Sequence, residues 1–157
     1  MKAYLDIETS FDGRITVVGI YRPSKNLVQF ILPNITAEAI LDFLRGAEIV
    51  VTYNGSRFDL PVIEKHFDLN LMNYFESLDL MYDCWRHNLY GGLKKVEEYL
   101  GINRDLPGMN GYDAVMLWSR YETYGDEKAL EVLLKYNKED VLNLCVLEAC
   151  LRMRENQ

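Results

Sequence analysis

Four carboxylates and one phenol fall in order along the chain: Asp6 and Glu8, then Asp59, then Tyr136 with Asp140. Gathered in one pocket, such a set suits two divalent cations and a phosphodiester, because carboxylates are hard oxygen ligands for Mg²⁺ or Mn²⁺. Each motif also has a plainer meaning. Asp6 and Glu8 read equally as a strand ending in a polar turn. Asp59 reads equally as an acid favoured by the dipole at a helix start. Tyr136 and Asp140 are common residue types near a helix start. Only the combination points to chemistry.

The elements that must position these residues follow from patterning. Ala3-Tyr4-Leu5-Asp6-Ile7-Glu8-Thr9 has the aromatic and branched content of a buried strand. Side chains alternate along a strand, so Asp6 and Glu8 share one face, where they repel unless a cation or a proton intervenes. A second apolar run, Ile49 to Tyr53, is ended by the turn Asn54-Gly55-Ser56. A helix from Phe58 to Phe67 follows, with Pro61 tolerated in its first turn. This strand, turn and helix put Asn54 and Asp59 at the carboxyl edge of a sheet, where α/β proteins form ligand sites. Tyr136 and Asp140, four apart, stack on one face of a long helix with apolar residues at 141, 142, 144, 145, 147, 149 and 151. Glu139 points a quarter turn away and reads as solvated.

Further strands are predicted at Thr16–Tyr21, Leu27–Leu32 and, briefly, Leu78–Leu80. Thr36 caps a helix to Arg45, Leu93–Leu100 and Tyr112–Tyr124 are helices stopped by Gly101 and Gly125, and Asp126 caps the segment leading to Tyr136. The order predicts a single α/β domain over residues 1–157, a mixed sheet flanked by helices. The loop Asn103–Gly111 is the expected mobile segment. Asp79 reads as a strand terminator or else as a supporting acid near the site, His66 and His87 as surface or internally satisfied residues, and Trp85, Trp118 and Tyr121 as core aromatics.

A hydrophobic fraction of 49% excludes a disordered chain, and no apolar run is long enough to span a bilayer. With no leader pattern before Asp6 and three cysteines in no metal-site spacing, the expected setting is cytoplasmic, with Cys145 and Cys150 reduced in the core. The net charge of −7 runs against an extended phosphate-binding face. Cations held by the acids would reverse the field locally.

As a set, the motifs resemble the DEDD superfamily of 3′-to-5′ exonucleases, in the subclass whose fifth residue is tyrosine. Asp6-x-Glu8, Asn54-x-x-x-Phe58-Asp59 and Tyr136-x-x-x-Asp140 match without departure, and Lys135 stands where the histidine subclass would have its histidine. Leu78-Asp79-Leu80, Tyr90-Gly91-Gly92-Leu93-Lys94, Leu100-Gly101-Ile102, Trp118, Tyr121 and Gly125-Asp126 are similar to the YprB-type branch of predicted ribonuclease-H-like exonucleases. The resemblance runs from about Lys2 to about Leu151. It implies a ribonuclease-H-like fold with about five strands and hydrolysis at the 3′ end of single-stranded DNA or RNA, releasing nucleoside monophosphates. Two divalent cations, Mg²⁺ or Mn²⁺, are implied as cofactors: Asp6 bridging both, Glu8 and Asp140 completing the nucleophile-side site, Asp59 reaching the other through water. Tyr136 would orient the attacking water. Thr9, Asn54, Arg57, Phe58 and Lys94 are the expected substrate contacts, with Lys95 a further phosphate contact. With no helicase or polymerase segment, a processing role would need a separate protein partner. Two other readings stay open, a non-catalytic binding module of the same fold and a structure-specific endonuclease.

Overall fold

In the computed structural model, which describes residues 1–157, Lys2–Thr9 (β1) is the central strand of a five-stranded sheet. Ile15–Arg22 (β2) and Asn26–Ile31 (β3) follow as antiparallel hairpins on one side. Ile49–Thr52 (β4) and Glu76–Asp79 (β5) join in parallel on the other, giving the order β3-β2-β1-β4-β5. The helices are Ala37–Leu44 (α1), Asp59–Phe67 (α2), Leu80–Arg86 (α3), Leu93–Leu100 (α4), Gly111–Tyr124 (α5) and Glu127–Glu155 (α6). This is the mixed α/β sheet expected from the sequence.

Alternation along β1 divides the core in two. Ala3, Leu5 and Ile7 pack with Ile40 and Leu44 of α1 and Leu60 and Ile63 of α2. Tyr4, on the opposite face, packs with Val51, with Leu80 and Cys84 of α3, and with Leu144, Leu147 and Leu151 of α6. Beside it, Val17 of β2 meets Trp118 of α5 and Leu133 and Tyr136 of α6. Each such side chain, fully buried, contributes about 1.5–3 kcal/mol. Asp6 and Glu8 share the Tyr4 face, so the acids look toward α6.

Gly19 sets how closely α6 can approach. It lies opposite Asp6 on β2. A Cβ added there would fall 2.2 Å from Oδ1 of Asn137 and 2.9 Å from Cγ2 of Val141. Only the missing side chain lets the helix rest directly on the strand.

Several local expectations are corrected. Residues 80–86 form a helix, capped by the Asp79 side chain, rather than following a strand that runs to Leu80. The segment from Glu127 does not lead into a final helix but is its first part, in one helix of 29 residues. Trp118 is buried as expected, whereas Trp85 is 36% exposed and lies edge-on to Tyr82. Its short helix turns that face outward. Cys84 is buried, Cys145 and Cys150 are half-buried, and all three are free thiols. His66 is exposed and His87 is half-buried, 3.9 Å from Glu155. No helix is long and apolar enough to cross a membrane.

Candidate active site

β1 and α6 bring the first and last acidic motifs together. Carboxylate oxygens of Asp6, Glu8 and Asp140 all lie within 4.8 Å of one another. Tyr136, one turn before Asp140, is buried beside them. Asp6 is held from α6 by Asn137, whose Nδ2 donates to the Asp6 side chain (3.1 Å) and to its backbone carbonyl (3.3 Å). Asn137 is fully buried and is itself fixed by Gln29, which donates to its Oδ1 at 2.9 Å and to the Leu134 carbonyl at 2.8 Å. Sequence reasoning missed both residues. An asparagine within Tyr-Asn-x-x-Asp sits roughly 100° from its neighbours on a helix, and only the proximity of β2 turns that face inward.

The cluster is electrostatically unfavourable by itself. Burial, then repulsion from Asp140, Glu8 and Asp59, holds Asp6 well above the usual carboxylate range. Burial followed by Asp140 raises Glu8 from 4.5 to about 8, against the lowering influence of Lys94. One oxygen of Glu8, Oε1, is buried without any hydrogen-bond partner. An unpartnered buried carboxylate oxygen among like charges is a site lacking positive charge. Three oxygen donors within this span fit a hard divalent cation.

A pH dependence follows. Below 4.5 the Glu8 carboxyl is protonated in both folded and unfolded chains and its contribution to stability is complete. Above that only the unfolded chain gives up the proton, so stability falls until the pH passes about 8. Asp59, raised from 3.8 to about 7 chiefly by burial, adds in the same direction. The melting temperature in EDTA is therefore expected to decline between pH 5 and 8, and less steeply in Glu8→Gln. Excess Mn²⁺ should flatten the decline. An equal slope in wild type and Glu8→Gln would contradict this electrostatic account.

Asp59 is not one of the three close acids. Its Oδ2 accepts the backbone N–H of Ile7 at 3.0 Å, which ties the start of α2 to β1. It remains near enough to Asp6 to raise that residue's pKa. The turn before it is shaped by Asp79, which accepts from the Asn54 N–H (2.7 Å), the Ser56 N–H (3.2 Å) and the Ser56 hydroxyl (2.6 Å). Asp79 is thus a brace for the Asn54–Asp59 loop as well as the cap of α3, more than the terminator read from sequence. Asn54 takes a left-handed conformation, φ 59°, and its side-chain Oδ1 is buried without a partner.

The expected substrate contacts divide. Phe58 is 43% exposed at the head of α2, and Thr9 is half-buried at the β1 bulge. Lys94 reaches the cluster, with Nζ 3.5 Å from Asp140 and 4.5 Å from the Tyr136 ring centre. Arg57 points elsewhere, lying over the rings of Tyr82 and Trp85 at 5.9 and 5.8 Å. Lys95 lies over Tyr99. Glu139, expected in solvent, is half-buried and accepts the Asp105 N–H at 2.8 Å. With Arg104 also buried against Glu97 and Asp140, the loop expected to be mobile is pinned at its start.

A family model described as the RNase_H superfamily matches residues 3–151, which include Asp6, Glu8, Asp59, Tyr136 and Asp140. The chain belongs to the RNase H superfamily. This RNase H-superfamily chain also resembles a family B DNA polymerase from the hyperthermophilic archaeon Pyrobaculum calidifontis, with a TM-score of 0.67 and 15% identity. The likeness covers 89% of the chain but 23% of the polymerase, and at that identity it is a likeness of fold. No curated protein matches.

Proposed function

We propose that this RNase H-superfamily domain is a metal-dependent nuclease that removes nucleoside monophosphates from the 3′ end of single-stranded DNA or RNA. The observation that carries the reading is the Asp6–Glu8–Asp140 cluster, three converging carboxylates with an unpartnered oxygen and a buried phenol beside them. Asp6, Glu8 and Asp140 would hold the cations, Mg²⁺ or Mn²⁺, with Asp59 in support from the start of α2. Bound there, two such ions would acidify the attacking water and stabilise the leaving oxygen.

The protein's own groups bind and orient. Burial, then the charges of Asp140, Glu8 and Asp6, pushes the Tyr136 phenol above its ordinary pKa, so it stays protonated at neutral pH. It serves as a hydrogen-bonding guide for water, not as a base. Lys94, at the mouth of the cluster, faces a scissile phosphate. Phe58, on the exposed rim, packs on the terminal sugar or base, a contact tolerant of sequence. Tyr136→Phe is expected to slow turnover about tenfold, the worth of one hydrogen bond, with Mn²⁺ affinity unchanged. An unaltered rate would remove Tyr136 from the reaction.

The deciding test is release of mononucleotides from 3′- and 5′-labelled single-stranded DNA and RNA in Mg²⁺, Mn²⁺ and EDTA. Metal-dependent shortening from the 3′ end supports the proposal and selects the sugar. Internal cuts would redirect it to an endonuclease. No cleavage, with no metal binding by calorimetry, would leave a binding module.

A further inference from the structure

The buried cation that pins the 103–110 loop also meets one acid of the cluster, Asp140. Arg104 sits in the loop between α4 and α5, in a stretch without helix or strand periodicity, yet its side chain is only 7% exposed. Its guanidinium grips Glu97 through Nε and Nη2, the latter at 3.0 Å. The same Nη2 donates to Oδ1 of Asp140. Glu97 is buried as deeply and accepts a further hydrogen bond from Asn143 of α6 at 3.2 Å. Lys94 approaches the same oxygen of Asp140, Oδ1. Oδ2 of Asp140 takes part in none of these contacts.

This geometry exceeds what a structural ion pair requires. Glu97 and Arg104 alone would satisfy each other across the α4–loop junction. Instead the guanidinium holds Glu97 with two nitrogens, which aims Nη2 at Asp140 as well, and Nη1 lies 3.7 Å from Glu139, a set of contacts that one lysine nitrogen cannot reproduce whole. The Asp140 side chain is left with one oxygen anchored and one without a protein partner. Groups that orient a ligating carboxylate in this way set how well it is preorganised.

We propose that Arg104, braced by Glu97, is a positioning residue that fixes Asp140 through Oδ1 and leaves Oδ2 for a cation held with Asp6 and Glu8. The inference rests on the metal-nuclease reading above and adds a residue to it that acts only through Asp140.

The test is Mn²⁺ binding by titration calorimetry on the intact chain, with thermal melts in EDTA alongside. Arg104→Met is expected to weaken Mn²⁺ binding about 10–100-fold, the usual effect of removing a partner of a metal ligand. Arg104→Lys keeps the charge but loses the two-nitrogen grip on Glu97 that aims Nη2 at Oδ1 of Asp140. It should melt close to wild type yet bind Mn²⁺ more weakly, a separation that a purely structural pair would not produce. Arg104 lines an open cleft of about 660 Å³ with Lys94, Ile102 and Met109. Added guanidinium can enter there and should restore Mn²⁺ affinity to Arg104→Ala but not to Asp140→Asn. Should Arg104→Met fail to fold, Arg104→Lys and Glu97→Gln decide the matter by the same comparison. Wild-type affinity in the folded Arg104 variants would overturn the positioning role. A wild-type protein that binds no Mn²⁺ would instead overturn the nuclease reading beneath it.

Discussion

Asp6→Ala is expected to reduce metal-dependent hydrolysis to background and, in EDTA near pH 8, to raise the melting temperature. Activity is lost because Asp6 shares the cluster with both Glu8 and Asp140. Stability is gained because the same position concentrates the repulsion: burial and three neighbouring acids all oppose its charge. Asn137 loses the Asp6 carboxylate as an acceptor but keeps the Asp6 backbone carbonyl, which limits the loss on that side. Asp140→Asn should also abolish turnover but should not stabilise, because it weakens the partner of the buried Arg104. Opposite signs in two loss-of-activity variants separate a ligand cluster from a generic fold defect. Normal turnover in either variant, or equal melting shifts in both, would remove the cluster from the reaction.

The second large effect is predicted at a residue with no chemistry of its own. Gly19→Ala places a methyl 2.2 Å from Asn137 and 2.9 Å from Val141, so α6 must lift or tilt. Overpacking of this kind costs about 1–3 kcal/mol, read from denaturant midpoints. On the proposed nuclease reading the larger consequence is catalytic, since α6 carries Tyr136 and Asp140, and a displacement near 1 Å can cost roughly 100-fold in rate. Gly92→Ala is the matched control: its φ is −71° and nothing lies within 4 Å of the added carbon. A Gly19→Ala protein as active and stable as Gly92→Ala would contradict the close seating of α6.

Much of this arrangement was legible in the sequence because it rests on local periodicity. The alternation in Ala3–Thr9 set which side Asp6 and Glu8 face, and four-residue spacing put Tyr136 with Asp140. Gly101 and Gly125 end their helices in left-handed caps, as read. The failures share a cause in contacts between distant segments. Arg104 was passed over because its partners, residues 97 and 140, belong to two different helices and no motif links them. Glu139 reads as solvated because it points a quarter turn away from Tyr136 and Asp140, whereas the backbone of the 103–110 loop reaches over to it at Asp105. Asp79 does end β5, as read, but its cap of α3 was hidden because a seven-residue helix is too short to show a repeat. Arg57 was read as a phosphate contact from its charge, while the nearby rings of Tyr82 and Trp85 are brought to it by α3.

The placement of the cluster also orders events in time. Asp6 and Glu8 belong to the first strand and Asp140 to the last helix, so their meeting is among the most distant pairings in the chain. A nascent chain ending after α5 would already contain all five strands of the sheet but no third carboxylate. Long-range pairings close late, because loop-closure entropy must be overcome before they form. On the proposed reading, competence at this site would require the docking of α6, and local detachment of that helix would disarm it while the sheet still stood.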